Sequence, residues 1–95
     1  MPSLYDKIKA AIRRDKVVFS LHADERLRQR GVVRWQAVEG FEAGELLRSH
    51  PDAEPNPKIV VRQQLPDGSE VIAAWSFVAS IRSAKLVTVF FEDRR

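Results

Sequence analysis

The chain has 95 residues, 44% apolar and 31% charged, with a formal net charge of +3; that length holds one modest hydrophobic core, and the composition excludes a disordered or low-complexity chain. It has no cysteine, which excludes a disulfide framework and thiolate metal ligands. No long uncharged apolar run is present to cross a bilayer and the first residues lack a leader pattern, so a single cytoplasmic domain is expected.

Charge is unevenly placed. Residues 1–34 carry nine Lys or Arg against four Asp or Glu, residues 35–57 one against five, and residues 58–95 six against four. So basic a first half suits phosphate or an acidic partner protein. It is equally what a solvated helical face paired with the following acidic segment would look like.

Ser3 and Asp6 have the spacing of a capping box, and Leu4, Ile8 and Ile12 recur at helical spacing. They predict a first helix through Arg14, with Lys7, Lys9, Arg13 and Arg14 toward solvent. The apolar run Val17-Val18-Phe19 interrupts it. Ser20 is a good N-cap for a second helix over 21–30, which Gly31 ends as the C′ residue; Ala23 and Leu27 form its narrow apolar stripe. A third helix is predicted over 34–43, with Val38 and Phe41 inward and Gly44 as its stop. Trp35 on this helix is either core or a contact residue.

After Gly44 the period changes. Residues 45–49 read as a short strand, and residues 51–57, with three prolines, as a loop. Strands follow at 58–65, 70–78 and 85–92, the first two joined by a turn at Pro66-Asp67-Gly68-Ser69. The expected fold is α+β: N-terminal helices packed on one face of a C-terminal antiparallel sheet of three to four strands. Within residues 58–92 neither a parallel pairing nor a helix is expected. Alternation predicts Trp75 in the core with Val71, Ala73 and Phe77. In the last strand it predicts Leu86, Thr88 and Phe90 on one face and Val87, Val89 and Phe91 on the other.

For chemistry, there is no dinucleotide-binding glycine pattern, no phosphate-binding loop and no nucleophile elbow. The two histidines, His22 and His50, lack metal-ligand spacing, so neither a metal nor a cofactor is expected. His50 begins a loop and is expected to be exposed. The informative run is residues 19–31. If Ser20 caps the helix, His22 lies in its first turn, at the positive end of the macrodipole, as a proton acceptor. Arg26 and Arg30 follow at i+4 and i+8 along the same flank. One proton acceptor beside fixed cations suits RNA cleavage, which needs a base for the 2′-hydroxyl and positive charge at the phosphate. Arg26 and at least one of Arg28, Arg30 and Arg34 would form a positive surface continuous with the first helix. The plainer alternative packs His22 under the first helix and pairs Arg26 and Arg30 with Glu39 and Glu42.

The run Phe19-Ser20-x-His22-Ala23-x-x-Arg26-Leu27-x-x-Arg30-Gly31-Val32 resembles the opening motif of the bacterial domain-of-unknown-function family 4258. Gly44-Glu45, the Pro-rich loop, Asp67-Gly68 and Val87-Thr88-Val89-Phe90 extend the resemblance over roughly residues 17–93. That family is similar in layout to the RelE and BrnT ribonuclease toxins. The resemblance implies a toxin-like RNA-binding protein acting as a metal-independent endoribonuclease. His22 and Arg26 would serve proton transfer and phosphate binding, Thr88 would contribute from the sheet, and Arg26, Arg28, Arg30 and Arg34 would contact RNA. It also implies an antitoxin protein over the basic helical face, with a homodimer as a further assembly to test. The chain departs from many relatives in having Phe90 in place of a tyrosine and no histidine between Val71 and Ala74. The alternative is a non-catalytic module binding protein or nucleic acid, in which the His–Arg run is a structural clasp between helix and sheet.

Overall fold

The structure is a computed structural model that describes residues 3–91. Helix α1 spans Leu4–Arg13, strand β1 Val17–Phe19, helix α2 Leu21–Gln29 and helix α3 Arg34–Gly40. Strands β2 (Glu45–His50), β3 (Lys58–Gln64), β4 (Glu70–Val78) and β5 (Ser83–Phe91) follow among the described residues, with one 3₁₀ turn, Ala79–Ile81, between β4 and β5. No helix among the described residues is long and apolar enough to cross a membrane.

The fold is α+β, but the sheet is larger and more mixed than expected. Five strands lie in the order β1-β5-β4-β3-β2. The meander β2 to β5 is antiparallel throughout. Val17–Phe19, read from the sequence as an interruption between helices, pairs parallel with Ala84–Leu86. A three-residue β-branched and aromatic run carries no local signal of its partner, which lies nearly seventy positions further on. The 3₁₀ turn likewise corrects the expectation of no helix between residues 58 and 92, and Glu92 lies outside the described residues.

The caps explain the helix starts. In α1, Ser3 Oγ accepts from Asp6 N–H at 3.1 Å and the Asp6 carboxylate accepts from Ser3 N–H at 3.3 Å, a reciprocal capping box. Gly31, at φ +67°, adopts the left-handed conformation that ends α2. Helix α3 stops at Gly40 rather than at residue 43. A Cβ on Gly40 would stand 2.7 Å from the carbonyl oxygen of Gln64 and 3.1 Å from Gln63 Nε2. The helix therefore rests on β3 with no room for a side chain.

All three helices contribute to one core on one face of the sheet. Ile8 and Ile12 of α1, Ala23 and Leu27 of α2 and Ala37 of α3 pack with Ile59, Val61, Val71, Trp75, Leu86 and Val89. Phe41 bridges the aromatic part, stacked on Tyr5 at 5.5 Å and edge-on to Trp75 at 5.7 Å. One polar residue enters: Gln63 donates to the carbonyl of Ala37 at 2.8 Å and accepts from the Trp75 indole at 2.7 Å. That satisfies the ring nitrogen of the largest buried side chain.

Strict alternation fails in β5. Ala74 faces Thr88 and Trp75 faces Leu86, so Val87 is an extra residue in a bulge. Leu86 consequently belongs to the core with Trp75, whereas Thr88 and Phe90 face the side away from the helices. The expected grouping of Leu86 with Thr88 and Phe90 is corrected by that one inserted residue.

Candidate functional site

Only residues 84–86 of β5 are covered by β1. Beyond Phe19 the chain turns out of the sheet, and α2 takes over the same edge. Ser20 N–H donates to the carbonyl of Leu86 at 3.0 Å. Its hydroxyl donates to the carbonyl of Val87 at 2.6 Å and accepts from Ala23 N–H at 2.9 Å. Ser20 is thus both helix cap and edge clasp. Further along, Arg26 Nε donates to the carbonyl of Val89 at 3.2 Å. Ala23, between these two anchors, and Leu27, just after the second, are buried.

Arg26 is half-buried and its guanidinium carbon lies 5.8 Å from the Phe90 ring centre. Held by Nε and the ring, it keeps both terminal nitrogens without a hydrogen bond or ion pair among the described residues. His22 stands in the first turn of α2, exposed, which corrects the alternative that buried it beneath α1. Thr88, across from Ala74 on the face away from the helices, has a buried hydroxyl with no hydrogen-bond partner. The fold therefore puts Arg26 on the strand segment that carries Thr88, with His22 one turn away on the helix. No hydrogen bond links the three.

The remaining arginines differ in setting. Arg28 is exposed. Arg30 lies over the Phe91 ring at 4.9 Å. Arg34 lies 4.8 Å from the Phe19 ring centre and grips Asp24 with two nitrogens, Nε at 2.8 Å from Oδ1. That grip holds the Asp24 carboxyl below the usual carboxylate range, with Arg28 adding a weaker electrostatic pull in the same direction. Arg26 bonds the sheet edge rather than Glu39 or Glu42, and Glu42 pairs with Arg13 at 2.5 Å, which lowers its own pKa in turn. Among the described residues no group of three or more His, Asp or Glu is arranged to hold a metal ion.

Spacing alone was enough to single out Ser20, His22 and Arg26, but not to show that two of them bind backbone oxygens of β5. A carbonyl acceptor is common to every residue and leaves no mark in the sequence. Residues 19–91 match a protein family described as "Domain of unknown function (DUF4258)"; no curated protein and no solved structure matches the chain.

Proposed function

The chain belongs to this family of domains of unknown function, and on that premise we propose that it is a toxin-like RNA-binding protein acting as a metal-independent endoribonuclease. The observation that carries the proposal is the state of Arg26: fixed through Nε, half-buried, with two terminal nitrogens open to a ligand. A cation placed in advance stabilises the developing charge on a phosphate without reorganising. Exposed His22, one turn away, takes the proton of a 2′-hydroxyl. The 2′-oxygen bonds phosphorus as the 5′-oxygen leaves, and that oxygen gains a proton from water. Thr88 contributes its unpaired hydroxyl from the sheet, and Arg28, Arg30 and Arg34 extend the RNA contact along the helices. A RelE- or BrnT-like layout of the helices against the sheet is part of this reading, and with it an antitoxin protein as the inhibitor.

The test is incubation of the purified protein with mixed RNA in the presence of a chelator. Wild type should cleave, and His22→Ala should cleave about a hundredfold less or worse. Arg26→Lys keeps the charge without the planar fork and should lose less than His22→Ala does. A second reading rests on the double anchoring by Ser20 and Arg26: the run is a clasp in a non-catalytic binding module. It takes over if wild type and His22→Ala are equally inert on free RNA, on ribosomes and in a growth assay on induced expression.

A further inference from the structure

Along α1 from Lys7 to its C-cap Arg14, a groove of about 530 Å³, which none of the residues of the His–Arg run lines, opens between the helix and the β4–β5 connection. Its floor is apolar, made by Ala10 and Ala11 of α1, Phe77 of β4 and Ala79 of the 3₁₀ turn. Its rim carries four cations, Lys7, Arg14, Lys16 and Arg82, and no Asp or Glu lines it. All four are exposed, and none has a side-chain hydrogen bond or ion pair among the described residues.

The chemistry of this groove is specific. Lys7 on α1 and Arg14, the C-cap that follows it, lie about two turns apart, roughly 10 Å along the helix axis. Lys16 and Arg82 come from two other segments of the chain. Arg82 sits at φ +50°, ψ +44°, a left-handed conformation seldom taken by a residue other than glycine. An arginine there supplies a charge to the groove that a glycine would not.

We propose that this groove binds an acidic amphipathic helical segment of a partner protein, with aliphatic side chains on the alanine and Phe77 floor and carboxylates against the four cations. The floor decides between a protein and a nucleic acid. Single-stranded RNA is held by stacking on open aromatic faces and by phosphate contacts. Here the floor is chiefly methyl groups, and Phe77 is partly buried against the core. Leucine or valine side chains at helical spacing fit such a floor, and glutamates flanking them meet the rim. This surface uses none of the residues assigned above to RNA, so the two proposals stand or fall separately.

The experiment uses a synthetic Leu/Glu amphipathic helical peptide, its Leu/Gln counterpart and single-stranded oligouridine as probes, read by fluorescence anisotropy and amide chemical shifts of the whole chain. The Leu/Glu peptide should bind, should move the shifts of residues 7–16 and 77–82, and should weaken with salt. The Leu/Gln peptide, and the Arg14→Glu protein with the Leu/Glu peptide, should each bind about tenfold more weakly. Arg82→Gly relieves the left-handed backbone while deleting the cation, so it should bind the peptide more weakly yet melt no lower, and it should leave RNA cleavage unchanged. No binding of the Leu/Glu peptide, equal binding by Arg14→Glu and Arg82→Gly, or shifts centred on α2 would overturn the proposal. So would oligouridine occupying the groove more tightly than the peptide.

Discussion

Along β5 the sheet edge is closed, first by β1 over residues 84–86 and then by Ser20 on Val87 and Arg26 on Val89. Along β2, at the opposite end of the sheet order, no strand among the described residues lies outside. That strand is short and mostly exposed, its register shifts between Leu46 and Arg48, and Pro51 follows it directly. Both arrangements deal with unpaired edge groups, by different means. Covering an edge requires particular donors at particular positions, so it leaves a pattern in the sequence. Leaving an edge short, charged and irregular requires only that it pair badly, which many sequences achieve. The segment that matches the family begins at Phe19, the last residue of β1, next to the Ser20 clasp.

That contrast is open to measurement. Ser20→Ala removes the helix cap and leaves the Val87 carbonyl without its hydroxyl donor, so urea denaturation should show a loss of about 1–2 kcal/mol. A loss within error would mean the α2 clasp is incidental. Next in size is Thr88→Val, which replaces an unsatisfied buried hydroxyl by a methyl group of similar shape and should stabilise by about 0.5–1 kcal/mol. If the same variant cleaves RNA less well, the unpaired hydroxyl is kept for function at the expense of stability.

A smaller effect concerns acid. The Asp24 carboxyl is held below its ordinary range, first by the hydrogen bond from Arg34. A group depressed in the folded state adds stability above its unfolded pKa, and that stability is lost as pH falls through the folded value. Asp24→Asn should therefore lower the melting temperature slightly at neutral pH, and the gap to wild type should close in acid; a gap independent of pH would sink this. Smallest of all is Arg48→Ala on the uncovered edge, where the side chain is exposed and the change should stay within about 0.5 kcal/mol. Were it as damaging as Ser20→Ala, the two edges would not differ as described.

What could be read in advance follows the same division. The Ser3 and Ser20 caps, the 70–78 strand, the loop of prolines and the core placement of Trp75 are local patterns, and they are legible because cap chemistry and alternation act within a few residues. The parallel pairing of Val17–Phe19, the Val87 bulge and the early end of α3 each depend on a distant segment, and no local pattern encodes them. The candidate site divides likewise. His22 and Arg26 stand out by helical spacing, whereas the fixing of Arg26 by a β5 carbonyl and the isolation of the Thr88 hydroxyl emerge only once β5 is in place. The basic groove was hidden for the same reason, since its cations come from α1, the link after it and the far side of the 3₁₀ turn.

The seating of Gly40 against Gln64 bears on how such chains diverge. Adding even one methyl group there drives a carbon against a backbone oxygen, which cannot swing aside as a side-chain tip would. A lineage leaving glycine at this position would have to lift α3 from β3, and with it the Ala37 carbonyl that Gln63 holds. The indole partner of Gln63 would then be disturbed as well. No sequence of small, individually tolerable steps leads away from such a residue. Exposed positions such as Gln29 and Glu39 are free to wander, so relatives should vary widely on their helical surfaces while this point of contact stays the same.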